Sequence, residues 1–327
     1  MPRSIDPIVR ATLIIITILS LLGLAWLGGE WARLNFVPSP TPVEPPADAF
    51  IQHVGYEAAA SQAIAALAAM PAGQQQALRE NLRANLVPVE EGLARLDASP
   101  VAILCIGERH MASTRRFLAE TVLPAFRTDA LLLETSPEEL PDILNEIDSG
   151  RTEVPLLGED IAAIVRAVRA ANPRAVIAGI DESASQKAQR VYRKQGSRDA
   201  SITGNLRSYI RRGKRHVVLF GALHCADQPN WLYRRVSLAE HRIKREQIVN
   251  LNVIGEHQDG TLEAFLEFVD AIGIPRRNFM ITDTGALDAR LFTWFPGFTR
   301  TFLRFDSVLV FQEHAHTHSR AAPGPLE

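Results

Sequence analysis

The chain has 327 residues, 35 Lys and Arg against 37 Asp and Glu, and a formal net charge of −2. The basic side chains are spread out, so the composition carries no footprint for nucleic acid. Two cysteines are too few to build a fold on disulfides.

Residues 11–29, ATLIIITILSLLGLAWLGG, form a 19-residue uncharged stretch. At 1.5 Å per residue this reaches the roughly 30 Å hydrocarbon thickness of a bilayer. Arg3 and Arg10 precede it, so the positive-inside bias predicts a cytoplasmic segment 1–10 and an extracytoplasmic, periplasmic-type bulk. No small-x-small site follows the run, which favours an uncleaved single-pass anchor over a signal peptide. Residues 30–49 are a linker in which FVPSPTPVEPPAD holds five prolines in 13 residues, a stiff extended spacer.

About 260 residues remain, enough for one large α/β domain over 50–312. Residues 50–96 are rich in Ala and Leu at helical spacing, with breaks near Pro71 and Pro88. His53 in this stretch reads as structural. From Val101 short apolar runs alternate with helical segments. The runs are 101–106, 130–133, 175–180, 216–220, 247–254, 278–281 and 307–311. The helical segments are 112–126, 137–147, 158–171, 183–212, 231–246 and 261–272. This alternation predicts a mostly parallel sheet with helices on both faces. The tail 313–327 carries His314, His316 and His318 and reads as unstructured, with adventitious metal affinity at most.

Two segments end strands alike: Gly107-Glu108-Arg109-His110 and Gly221-Ala222-Leu223-His224. Ligands of parallel α/β folds bind at the carboxyl ends of strands. The strands between them end in Glu134 and in Asp181 and Glu182. One edge would then gather two imidazoles and several carboxylates, which must be neutralised by a cation, by shared protons or by an Arg. Arg198, inside the long helical segment 183–212, is a candidate to reach in; Arg109 is another, though alternation aims it differently from Glu108 and His110, and Arg115 and Arg116 should line the rim. Capping of the following helices is the competing role for Glu134 and for Asp181. Cys105 and Cys225 sit beside the two Gly-x-x-His segments. A disulfide is possible in an oxidising compartment, but two small buried hydrophobes are the preferred reading. Asp283-Thr284-Gly285 reads as a turn. No G-x-S-x-G elbow, phosphate loop or H-E-x-x-H motif is present.

Two chemistries fit such a pocket. His110, Glu134, Asp181 and His224 suit zinc, manganese or cobalt, which would polarise a carbonyl and acidify water. Without a metal, His110 or His224 can act as general base, with Glu108 orienting a ring and Arg198 stabilising the oxyanion. Both lead to hydrolysis of an ester or amide in a small molecule or peptide.

IGERH at 106–110, LLLE at 131–134, GID at 179–181, Arg198-Asp199 and GALH at 221–224 together resemble the superfamily of erythromycin esterases, ChaN-like haem-binding lipoproteins and TraB/Tiki proteins. The ChaN-like branch is the closest, through Gly107, Glu108, His110, Arg198 and Asp199. The resemblance implies an α/β domain with a polar pocket at the strand ends. The esterase branch implies a His base in Gly-Glu-x-x-His, one residue longer than Glu108-x-His110. The Tiki branch implies metal-dependent proteolysis through paired Gly-x-x-His motifs. The ChaN-like branch implies haem binding, although no residue here matches its haem ligand. The expectation is a membrane-anchored hydrolase, metal-assisted at His110, Glu134, Asp181 and His224. The alternatives are a haem- or metal-complex-binding protein without turnover, and a scaffold that only recognises a peptide.

Overall fold

The computed structural model of the protein describes residues 56–150, 161–239, 243–256, 259–274, 278–295, 297–298 and 302–312. The expected anchor 11–29, the linker, His53 and the tail 313–327 lie outside them. Among the described residues no helix is long and apolar enough to cross a membrane.

The described residues open with helices Tyr56–Ala68, Ala72–Asn85 and Val89–Ala98, interrupted at Pro71 and Pro88 as the sequence predicts. Eight strands follow or intervene among the described residues: β1 Leu86–Pro88, β2 Ile103–Glu108, β3 Ala130–Leu133, β4 Val176–Gly179, β5 His216–Gly221, β6 Ile248–Gly255, β7 Phe279–Ile281 and β8 Ser307–Phe311. They form one sheet in the order β1-β7-β8-β6-β2-β5-β3-β4. The six strands from β8 to β4 are parallel, and β7 runs antiparallel to β8 and to β1. The sheet is therefore mixed, though mostly parallel. All six residues of β2 are buried, as expected of a strand covered on both faces.

Alternate side chains feed two apolar cores. Ile103 and Cys105 join one, with helices Tyr56–Ala68, Arg198–Arg207 and Gly260–Ala271. Leu104 and Ile106 join the other, with helices Val89–Ala98, Leu140–Asp148 and Ile161–Ala171. Because β7 is antiparallel, Asp283 beyond it emerges at the edge opposite the carboxyl ends of β2–β6. There its carboxylate accepts from Gly285 N at 2.9 Å, the turn that Asp283-Thr284-Gly285 predicts.

Two sequence expectations need correction. The segment 183–212 is not one helix. It divides into Ala184–Arg193 and Arg198–Arg207, because Lys194 (φ 52°) and Gly196 (φ 77°) take the left-handed conformation. Ser197 then caps the second helix through Ala200 N at 3.2 Å, so Arg198 and Asp199 lie in its first turn rather than in mid-helix. The second correction concerns the cysteines. Cys105 of β2 and Cys225, at the end of the helical turn Ala222–Cys225, are both buried but are joined as a disulfide across 120 residues.

Candidate active site

Four adjacent strands, β2-β5-β3-β4, deliver the site. The register pairs Glu108 with Gly221, and Leu133 with both Leu219 and Gly179. Glu134 and Asp181, which follow those strands, therefore leave the sheet at nearly the level of Glu108. Neither acts as a helix cap. Ser136 Oγ accepts from Glu139 N at 3.2 Å, and Ser183 with Gln186 forms the capping box of the helix after Asp181.

Glu108 is almost fully buried and anchors the first half of the site. Its Oε2 accepts from the backbone N–H of His110 at 2.5 Å, and its Oε1 lies 2.9 Å from His110 Nδ1 and 3.0 Å from Arg115 Nε. His110 itself has φ +55°, a conformation that costs a non-glycine residue about 1–2 kcal/mol. Backbone strain of this kind is held where surroundings over-determine it, typically at functional sites. The hydrogen bond of its own N–H to Glu108 is what holds it here. Arg115 Nη2 also comes within 3.1 Å of Nδ1; when Nδ1–H is given to Glu108, the lone pair is on Nε2, 3.6 Å from Glu134 Oε2, and the side chain is 49% exposed. Arg115, expected at the rim, instead sits beneath the site as the buried partner of Glu108. Arg109 turns away to Asp259 at 3.0 Å, as the alternation along the segment predicts.

Gly221 makes the His110 position possible. A Cβ there would stand 2.9 Å from His110 Nε2. Gly221→Ala should therefore displace the imidazole while leaving the sheet intact. The expected result is a shifted imidazole signal of His110 in NMR with an unchanged unfolding midpoint. An imidazole signal identical to the parent's would remove the steric role of Gly221.

Arg198 occupies the middle of the second half. Its Nε and Nη2 grip Asp181 at 3.0 and 2.6 Å, Nη2 also reaches Glu134 Oε1 at 2.7 Å, and Nη1 lies 3.1 Å from His224 Nε2. Since an arginine only donates, His224 Nε2 must accept, and its proton is on Nδ1. That Nδ1–H donates to Asp199 Oδ1 at 2.7 Å, which also takes Leu232 N at 3.1 Å. Asn205 fixes the frame by donating to the Asp181 carbonyl at 2.8 Å. One of the five guanidinium N–H groups, on Nη1, has no bond to the described residues. Glu134 links the halves. Its Oε2 takes Gly221 N at 2.8 Å and faces His110, while Oε1 takes Arg198 and lies 3.8 Å from His224 Nε2.

These contacts set the charge states. Burial raises the Glu108 carboxyl, but the hydrogen bond to His110 and the charge of Arg115 outweigh it and hold the group below its ordinary value. The bond to Glu108 lifts His110 above its ordinary 6.5, against the effect of burial. Asp181 is lowered, because the Arg198 bonds exceed the cost of burial.

The expected residues Glu108, His110, Glu134, Asp181, Arg198 and His224 thus come together. Glu182 does not; it faces Arg190 at 2.8 Å. Asp199 and Arg115 complete the two imidazole sites. Asp199 carried a sequence signal only through the Arg-Asp pair, and Arg115 only through its place one turn into the helix after β2.

The metal expectation fits this geometry poorly. Glu134, Asp181 and His224 surround a guanidinium that already takes both carboxylates and the ring nitrogen, and His110 reaches this group only through Glu134 Oε2 at 3.6 Å. Among the described residues no group of three or more His, Cys, Asp and Glu side chains is arranged to hold a metal ion.

No protein-family model matches the chain, and no curated protein does. Two solved structures described as bacterial protein toxins align partially. One is 17% identical over 56% of this chain and 40% of its own, with a TM-score of 0.33. The other is 16% identical over 55% and 39%, with a TM-score of 0.34. The chain spans about two fifths of the length of those proteins. Neither bears on the resemblance drawn from the five motifs.

Proposed function

We propose that this protein hydrolyses a neutral ester or amide, with His110 as general base and Arg198 as stabiliser of the developing oxyanion. The observation that carries this reading is the division of labour between the two imidazoles. Both have a carboxylate on Nδ1, but His224 spends its Nε2 lone pair on Arg198, whereas His110 Nε2 meets no donor among the described residues and belongs to a half-exposed side chain. In the reaction, His110 Nε2 takes a proton from water as the water oxygen attacks the carbonyl carbon. Negative charge gathers on the carbonyl oxygen and meets the uncommitted Nη1–H of Arg198. Collapse breaks the bond to the leaving group, which receives the proton from His110. Glu108 holds the ring in the required tautomer and stabilises its protonated form. Asp199 and His224 position Arg198 and do not touch the reacting atoms.

Charge favours a neutral substrate. Glu134 and Asp181 line the open side of the site, while the cations Arg115, Arg190, Arg198 and Arg235 are each engaged by its acids or by Glu182, so a phosphate or carboxylate placed beside Glu134 would meet like charge. The anchor-like segment 11–29 and the disulfide both support a membrane-tethered domain in an oxidising compartment.

The test is a screen of neutral esters and amides with the purified full-length protein, with and without a chelator. Turnover that survives chelation supports the metal-free base. Turnover abolished by chelation and restored by zinc, manganese or cobalt would overturn it for the metal-dependent reading, and a Soret band on reconstitution with no turnover would favour haem binding. The pH profile gives an independent check. The base must be deprotonated and its pKa is raised, so kcat/KM should fall on acidification with a midpoint above 6.5. Glu108→Gln should move that midpoint down. A parental midpoint below 6.5 would count against His110.

A further inference from the structure

Helix Ala184–Arg193 is amphipathic but sits the wrong way round. At 100° per residue, Ser183, Gln186 and Arg190 share one side, and these polar residues dock it to the body. Gln186 Nε2 donates to Asn205 Oδ1 at 3.0 Å, and Arg190 forks onto Glu182 at 2.8 and 3.0 Å. The helix has no buried residue. Its apolar stripe of Ala184, Ala188, Val191 and Tyr192 is exposed, with Val191 at 49% and Tyr192 at 84%. A helix normally buries such a stripe. Exposed Lys187, Arg193 and Lys194 flank it. Two more exposed hydrophobics, Met111 and Leu223, stand beside the site imidazoles at the same carboxyl edge of the sheet.

We propose that this edge docks on an anionic lipid surface through the outward stripe of helix 184–193. The alternative occupant, a second copy packed two-fold on the same helix, would crowd two sets of Lys187, Arg193 and Lys194 around one apolar stripe. An anionic headgroup layer instead complements those cations, while Tyr192 and Val191 enter the interface. Each basic side chain close to such a surface is worth roughly a fivefold factor, so three together are worth on the order of a hundredfold. A contact of that strength is sufficient for a domain already tethered by its own chain. The proposal does not rest on the hydrolysis reading, because it uses neither His110 nor Arg198.

The test is the full chain carrying Ala188→Cys labelled with an environment-sensitive fluorophore. Cys105 and Cys225 are joined to one another and take no label. The labelled protein is reconstituted into phosphatidylglycerol or phosphatidylcholine vesicles. The expected result is a blue shift and loss of iodide quenching in phosphatidylglycerol alone. Both effects should be reversed by about 1 M salt, where screening shortens to roughly 3 Å, and by the triple change Lys187→Gln, Arg193→Gln, Lys194→Gln. Water-like emission in both lipids overturns the proposal. So does a blue shift in phosphatidylcholine that grows with protein concentration, which would assign the stripe to a second copy.

Discussion

Replacing His110 with Gln should lower kcat on the best ester or amide by about 10²–10⁴-fold, the range associated with a positioned general base. Glutamine keeps a polar side chain of comparable reach above Gly221, so the half-exposed position should not destabilise the fold. What it cannot do is accept a proton at neutral pH. The loss should therefore fall on kcat, with KM little changed, because the ring is assigned to the chemical step rather than to substrate binding. His224→Gln is the instructive comparison. Its Nε2 is committed to Arg198, so its removal should act by loosening the guanidinium, and the residual activity should keep the parental pH midpoint. If His224→Gln abolished the acid limb of the profile while His110→Gln preserved it, the roles of the two imidazoles would be reversed.

The largest effect on stability is expected from the disulfide. Closing a loop of 120 residues removes denatured-state entropy worth about 4–5 kcal/mol in the chain-entropy treatment, within an observed range of roughly 0–5 kcal/mol for cross-links. The double change Cys105→Ser, Cys225→Ser adds the cost of two hydroxyls in a buried apolar setting, so Ala at both positions is the cleaner variant. Urea unfolding of that variant should show a lower midpoint, matched by the parent under a reductant. Equal midpoints with and without reductant would mean that the bond contributes nothing to stability. Activity should fall as well, since Cys225 immediately follows His224 and ties its turn to β2.

Much of this arrangement is legible in the sequence, for physical reasons that differ by element. Seven of the strands are apolar runs bounded by turns, and all but the edge strand β4 are buried along most of their length, which makes them conspicuous. β1 is not. Leu86–Pro88 is three residues long, ends in proline and pairs only with β7, so it has neither period nor length to declare it. The reversed direction of β7 is equally silent, because direction is set by its pairing with β8 and not by its own residues. The site acids and imidazoles are legible because each terminates a strand, and parallel strands share an edge. The break at 194–196 is harder to see. Lys194 takes a left-handed conformation usually left to glycine or asparagine, so composition alone continues the helix through it and hides the capped first turn that aims Arg198. The disulfide is hard to read from sequence because each cysteine also makes sense as a small apolar residue, and only the adjacency of β2 and β5 brings the two within reach.

Every residue assigned to the candidate site, from Glu108 to His224, falls between the two half-cystines. The cross-link therefore closes a covalent circuit containing the whole of the proposed machinery. A protease that cuts once inside that circuit produces two fragments still held together, with base, guanidinium and carboxylates in one body. A cut outside it separates only the flanks. Clipping of this protein in a protease-rich compartment would thus shorten its ends or open its loops long before it divided the residues that work together.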